Sequence, residues 1–89
     1  MNVLWRPQAR TALRKILTHI REHNPDAAGT LQRTIESATE RLPDHPYAFR
    51  AGRVAGTREL VVHPNYIIVY QASNVVTIVA VLHSRQAYP

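Results

Sequence analysis

Residues 58–83, RELVVHPNYIIVYQASNVVTIVAVLH, decide the fold. Arg58 to Val62, Tyr66 to Ala72 and Val75 to His83 are rich in valine, isoleucine and tyrosine, the side chains that fit a pleated, half-buried surface. His63-Pro64-Asn65 and Ser73-Asn74 separate them, and connections that short join only antiparallel neighbours. The stretch therefore predicts a three-stranded antiparallel meander. Its last two strands are apolar on both faces, so one face expects a helical cover and the other a second cover, a natural seat for a partner chain.

Working outward, the period changes upstream. Asn2-Val3-Leu4-Trp5 is a short strand candidate, and Pro7 stands where proline is tolerated, at a first helical position. Ala9, Leu13, Ile16, Leu17 and Ile20 then form one apolar stripe of a helix ending near His23, whose other face carries Arg10, Arg14, Lys15 and Arg21. Asn24 before Pro25 reads as an N-cap, opening a second helix with Ala28, Leu31, Ile35, Ala38 and Leu42 inward. Two helices joined this tightly form an antiparallel hairpin. Pro43-Asp44-His45-Pro46-Tyr47 stops the second helix, and the chain through Gly52 and Gly56 reads as an irregular connection. The expectation is a single α+β domain over residues 1–89, in β-α-α-β-β-β order with the helical hairpin packed on the antiparallel meander.

Composition narrows the function classes. With 45% apolar and 19% charged residues the chain is globular, and no apolar run approaches the ~18 residues that span a bilayer. Trp5, Arg6 and Pro7 interrupt any secretory leader, so a cytoplasmic protein without membrane contact is expected. The absence of cysteine excludes disulfides, thiolate metal sites and cysteine nucleophiles. The formal charge is +5, and ten of the eleven basic residues are arginine, which suits an anionic partner. Residues 46–89 carry Arg50, Arg53, Arg58 and Arg85 against the single acid Glu59, so the second half is the candidate anion-facing surface.

There is no phosphate-binding glycine loop, no HExxH, no GxSxG and no closely spaced set of metal ligands to single out. No metal and no cofactor is expected. What the meander offers is a constellation: the start of its second strand and the end of its third lie at one edge. That edge brings together His63, Asn65, Tyr66, His83, Arg85 and Tyr88, with His45 available from the long loop. Imidazoles can move a proton off a ribose 2′-hydroxyl or onto a leaving 5′-oxygen while arginine stabilises the phosphate charge between them. Each residue also has a purely structural reading, as a turn, core or strand-end side chain.

The blocks Gly56-Thr57-Arg58-Glu59-Leu60-Val61-Val62, Asn65-Tyr66-Ile67-Ile68-Val69-Tyr70 and Val81-Leu82-His83-Ser84-Arg85-Gln86-Ala87-Tyr88-Pro89, in this order behind a strand and a basic helical hairpin, resemble the RelE/ParE superfamily of bacterial type II toxin–antitoxin toxins. The resemblance covers nearly the whole chain. It implies a small growth-arresting toxin silenced by a cognate antitoxin, in a complex that binds operator DNA through the antitoxin. RelE-like members cut mRNA at the ribosome, whereas ParE-like members poison DNA gyrase. Ribosome-dependent nucleases of this kind often carry basic residues where this chain has Glu59, Val61 and Ile67; Arg85 and Tyr88 match the nuclease pattern. Pro64 to Tyr70 is similar to the histidine-dependent YafQ branch, with Asn65 in place of an acid, while Leu82-His83 is also common at the end of the last strand in ParE-like toxins.

The expectation drawn from both lines is an mRNA interferase. His83 and His63 would act as acid and base, Arg85 on the scissile phosphate and Tyr88 on a base, with His45, Asn65, Arg50, Arg53 and Arg58 holding substrate. The alternative is a gyrase poison without hydrolytic activity, and a third reading is a defective toxin retained as a co-repressor partner.

Overall fold

The computed structural model describes residues 2–89. Strand β1 (Val3–Trp5) leads through extended Arg6 into helix α1 (Pro7–His23), with Pro7 in the first turn, where its missing N–H costs nothing. The Asn24 amide donates to the Ile20 carbonyl, closing α1, and its side-chain Oδ1 accepts from the Ala27 amide at 3.1 Å, opening helix α2 (Pro25–Arg41). One residue thus caps both helices and fixes the tight antiparallel hairpin. A single 3₁₀ turn, Leu42–Asp44, follows, with Pro43 denying the helix its next amide and Leu42 buried beneath it.

The rest of the chain builds a sheet: β2 (Arg50–Ala51), β3 (Arg58–His63), β4 (Tyr66–Ala72) and β5 (Val76–His83). The order is β1-β5-β4-β3-β2. The expected meander β3-β4-β5 is the middle of this sheet, antiparallel throughout. Two additions flank it. β1 pairs parallel with β5, Leu4 opposite Thr77, and β2 pairs antiparallel with β3, Arg50 opposite Glu59. The connection expected to be irregular therefore holds a 3₁₀ turn and an edge strand. Two glycines shape the loop between β2 and β3. Gly56 takes a positive φ of 82°, and the Gly52 amide donates to the Thr57 carbonyl so closely that a Cβ at 52 would collide with the Thr57 hydroxyl.

The helices pack on one face of the sheet. Ala9 and Leu17 of α1 and Leu31 and Ile35 of α2 meet Leu60, Ile68, Tyr70, Val76, Ile78 and Val81. Alternation then assigns Leu4, Glu59, Val61, Ile67 and Val69 to the opposite, outer face. That face was expected to carry a second cover over part of its area, and Ile67, Val69 and Leu82 are buried on it. Arg53, on the Glu59 side, donates from Nη1 to the Gln86 carbonyl at 3.3 Å and draws the C-terminal tail back toward the β2–β3 loop. Exposed apolar surface on the outer face is left at Leu4 and Val61, on either side of its centre. Among the described residues no helix is long and apolar enough to cross a membrane.

Candidate functional site

His63 ends β3, Tyr66 begins β4 and His83 ends β5, and the register aligns His63 with Tyr66 and Tyr66 with His83. The three rings form one row, with centroids 5.7 Å apart for His63–Tyr66 and 5.5 Å for Tyr66–His83. The sheet edge thus assembles as the meander predicted. The Ser84 amide donates to the Asn65 carbonyl at 2.7 Å, which binds the start of the tail to the β3–β4 turn and sets exposed Arg85 just beyond His83. A cleft of about 440 Å³ opens beside the row, walled by Ile20, Thr30 and Leu31 of the hairpin and by His63, Asn65 and Tyr66.

Both imidazoles make the same local bond. His63 Nδ1 accepts from the Asn65 amide at 3.1 Å, and His83 Nδ1 accepts from the Arg85 amide at 3.2 Å. A neutral ring whose Nδ1 accepts carries its proton on Nε2, a tautomer assigned from the hydrogen-bond geometry. Each ring in this state offers a donor at Nε2, while its basic Nδ1 is engaged by a backbone amide. The row is equipped to bind acceptor groups, whereas proton abstraction would first require one of the two turns to let go.

The arginines gather at the other end of β3. Glu59, with 3% of its side chain exposed, accepts from Arg50 Nε at 3.2 Å and Nη2 at 3.0 Å on one oxygen, and from the Arg53 amide at 3.1 Å on the other. Arg53 Nε stands 3.5 Å from that second oxygen. A buried carboxylate needs such partners, because taking an unpaired charge out of water is costly. Arg58 lies on the helix face, donating to the Phe49 carbonyl at 2.8 Å and the Tyr47 carbonyl at 3.3 Å and stacking over the Tyr47 ring. Its guanidinium holds the loop that also carries exposed His45, which borders a small cleft with Phe49 and Leu60. The Tyr70 hydroxyl pins the same loop by donating to the Pro46 carbonyl at 2.7 Å. Burial pushes the Tyr70 phenol up from its ordinary value, against a smaller downward pull from Arg58.

Of the residues singled out from sequence, His63, Asn65, His83 and Arg85 come together. His45, Arg50, Arg53 and Arg58 stand at the far end of β3, and half-buried Tyr88 lies in the tail beyond Gln86. One group was passed over: the expectation of no closely spaced metal ligands is corrected by His19, Glu22 and His23, whose ligand atoms lie within 4.8 Å of one another on α1. The i, i+3, i+4 spacing was visible in the sequence, but the order His-x-x-Glu-His is the reverse of the HExxH sought.

A hairpin of helices on a five-stranded mixed sheet is the α+β architecture that the resemblance to RelE/ParE toxins implies. Residues 3–88 match the family model described as ParE toxin of type II toxin-antitoxin system, parDE, and the chain belongs to that family. It is 36% identical over 88 residues to the Sinorhizobium fredii (strain NBRC 101917 / NGR234) protein named "Putative toxin Y4kP", covering 98% of this chain and 92% of that one. Among solved structures, a chain of the chromosomal ParDE TA system from P. aeruginosa superposes with a TM-score of 0.81 at 19% identity, covering 93% of this chain and 95% of that one, a likeness of fold. The chain is thus the toxin of a type II toxin–antitoxin system, and membership implies an antitoxin as its partner.

Proposed function

We propose that this toxin arrests growth by binding and trapping DNA gyrase, without hydrolytic chemistry of its own, and that its cognate antitoxin silences it. The observation that carries this reading is the state of the three positions where ribosome-dependent relatives are expected to display basic groups. Glu59 is buried in its ion pairs, Ile67 is buried, and Val61 exposes a valine. None of the three residues itself supplies a cation to an mRNA phosphate. The histidine row is consistent with the same reading, since the Nδ1 of each ring is engaged by a backbone amide and Nε2 is left as a donor. In this reading His63, His83, Asn65 and Arg85 form a contact surface for acceptor groups of the target, the place of action is the cytoplasm, and the toxin–antitoxin complex meets operator DNA through the antitoxin.

The competing outcome is mRNA cleavage at the ribosome, with His83 and His63 as the acid–base pair, Arg85 on phosphate and Tyr88 on a base. Induction of the chain without its antitoxin, with amino-acid incorporation and the SOS response followed in one culture, separates the two. Prompt SOS induction and filamentation while translation continues is the expected result. Early translation arrest with cut mRNA would overturn the gyrase reading.

A further inference from the structure

We propose that His19, Glu22 and His23 form a binding site for a divalent transition-metal ion on the last turn of α1. Residues three and four apart share one helix face, and here the spacing is expressed as contact: the two imidazole centroids are 5.3 Å apart, edge to face, and the ligand atoms of all three side chains fall within 4.8 Å of one another. All three are exposed. Among the described residues none of the three side chains is engaged in an ion pair or a side-chain hydrogen bond, so their lone pairs are not already spent. Metal–ligand bonds of about 2 Å need donors a little over 3 Å apart, a closure that exposed rotamers can make without moving the backbone.

The donor set selects the ion. Two imidazoles and one carboxylate suit zinc, nickel or copper, whereas calcium and magnesium favour all-oxygen shells. Three protein ligands leave a fourth position for water or for a group from another molecule. The helix C-terminus favours a cation here. Lys15 and Arg21 on the same helix oppose it, so binding rests on chelation rather than on the local field. The His-x-x-Glu-His order also occurs in a zinc-peptidase motif. There the glutamate acts within a cleft; here the group lies on open helix surface, and binding alone is inferred. A bound ion would clamp the final turn of α1 directly before Asn24, the residue that caps both helices.

The test is calorimetric titration of Zn²⁺ into the purified chain, paired with thermal unfolding. The expected result is saturation at one ion per chain and a raised Tm. His19→Ala and His23→Ala should each weaken binding by at least about tenfold, the lower end of what even an outer-shell change costs a metal site. Glu22→Gln should weaken it less, and the far-ultraviolet circular dichroism of all three should match the unaltered chain. His63→Ala with His83→Ala serves as the control and should leave binding unchanged. Absence of saturable binding, variants at 19 and 23 that bind as the unaltered chain does, or loss of binding in the 63/83 control would each overturn the proposal.

Discussion

At the Arg58 end of β3 two arginines close on a buried carboxylate, while at the His63 end two imidazoles flank a tyrosine beside an open cleft. Both ends are rich in polar chemistry, and a count of charges ranks the first above the second. Geometry reverses the ranking. Arg50 and Arg53 are occupied by Glu59, and Arg58 by the carbonyls of the loop it supports. Exposed Arg85 stands at the histidine end instead. The arginines at the first end have structural work, whereas no side-chain hydrogen bond or ion pair engages the Arg85 guanidinium among the described residues.

That contrast can be broken by mutation, and the largest effect should come from the ion-pair end. Arg50→Ala with Arg53→Ala leaves the buried Glu59 carboxylate without a cation and should cost about 2–3 kcal/mol in urea unfolding, less than a fully buried pair because both arginines are partly solvated. Adding Glu59→Gln should recover most of that loss. A double variant as stable as the unaltered chain would show that the cluster holds nothing. Gly52→Ala drives a methyl group into Thr57 and should destabilise by about 1–3 kcal/mol, read from the same unfolding curves.

Tyr70→Phe loses the bond to the Pro46 carbonyl, for about 1 kcal/mol. Its pH dependence has a definite sign. Because burial raises the folded-state value above the ordinary 10.0, the unfolded chain ionises more readily, so stability is fully present below that pH and falls as pH climbs past it. The phenylalanine variant should show a shallower alkaline loss in thermal scans taken between neutral and strongly alkaline pH.

The smallest change in stability belongs to the histidine end. His63→Ala with His83→Ala should shift unfolding by only about 0.5 kcal/mol, as for surface substitutions elsewhere. Growth arrest on induction should nevertheless weaken by degrees, as for a contact surface. Abolition of toxicity in a fully folded variant would instead mark the row as catalytic.

Much of this architecture was legible because local rules and tertiary demands agree. The Asn24-Pro25 junction, the helical stripes and the three meander strands all follow from spacing and turn chemistry, as does the placing of His63 and His83 on either side of Tyr66. The edge strands were harder. β2 is two exposed residues, Arg50 and Ala51, with no apolar alternation to betray it, and the parallel pairing of β1 with β5 is a nonlocal choice no three-residue stretch can encode. Missing β2 also hid the function of its arginine. Glu59 meets Arg50 only through the β2–β3 register, so two of the arginines read from sequence as an anion-facing surface also serve as partners of a buried carboxylate. His19, Glu22 and His23 are the opposite case, since their spacing is present in the sequence but in the order His-x-x-Glu-His rather than HExxH.

What the exposed end of the sheet binds decides how this toxin acts. The direct measurement adds the purified chain, in parallel, to DNA gyrase with relaxed plasmid and to ribosomes programmed with mRNA. Inhibited supercoiling with trapped gyrase–DNA cleavage complexes, and intact message on the ribosomes, is the expected result. Cleaved mRNA beside fully active gyrase would contradict it.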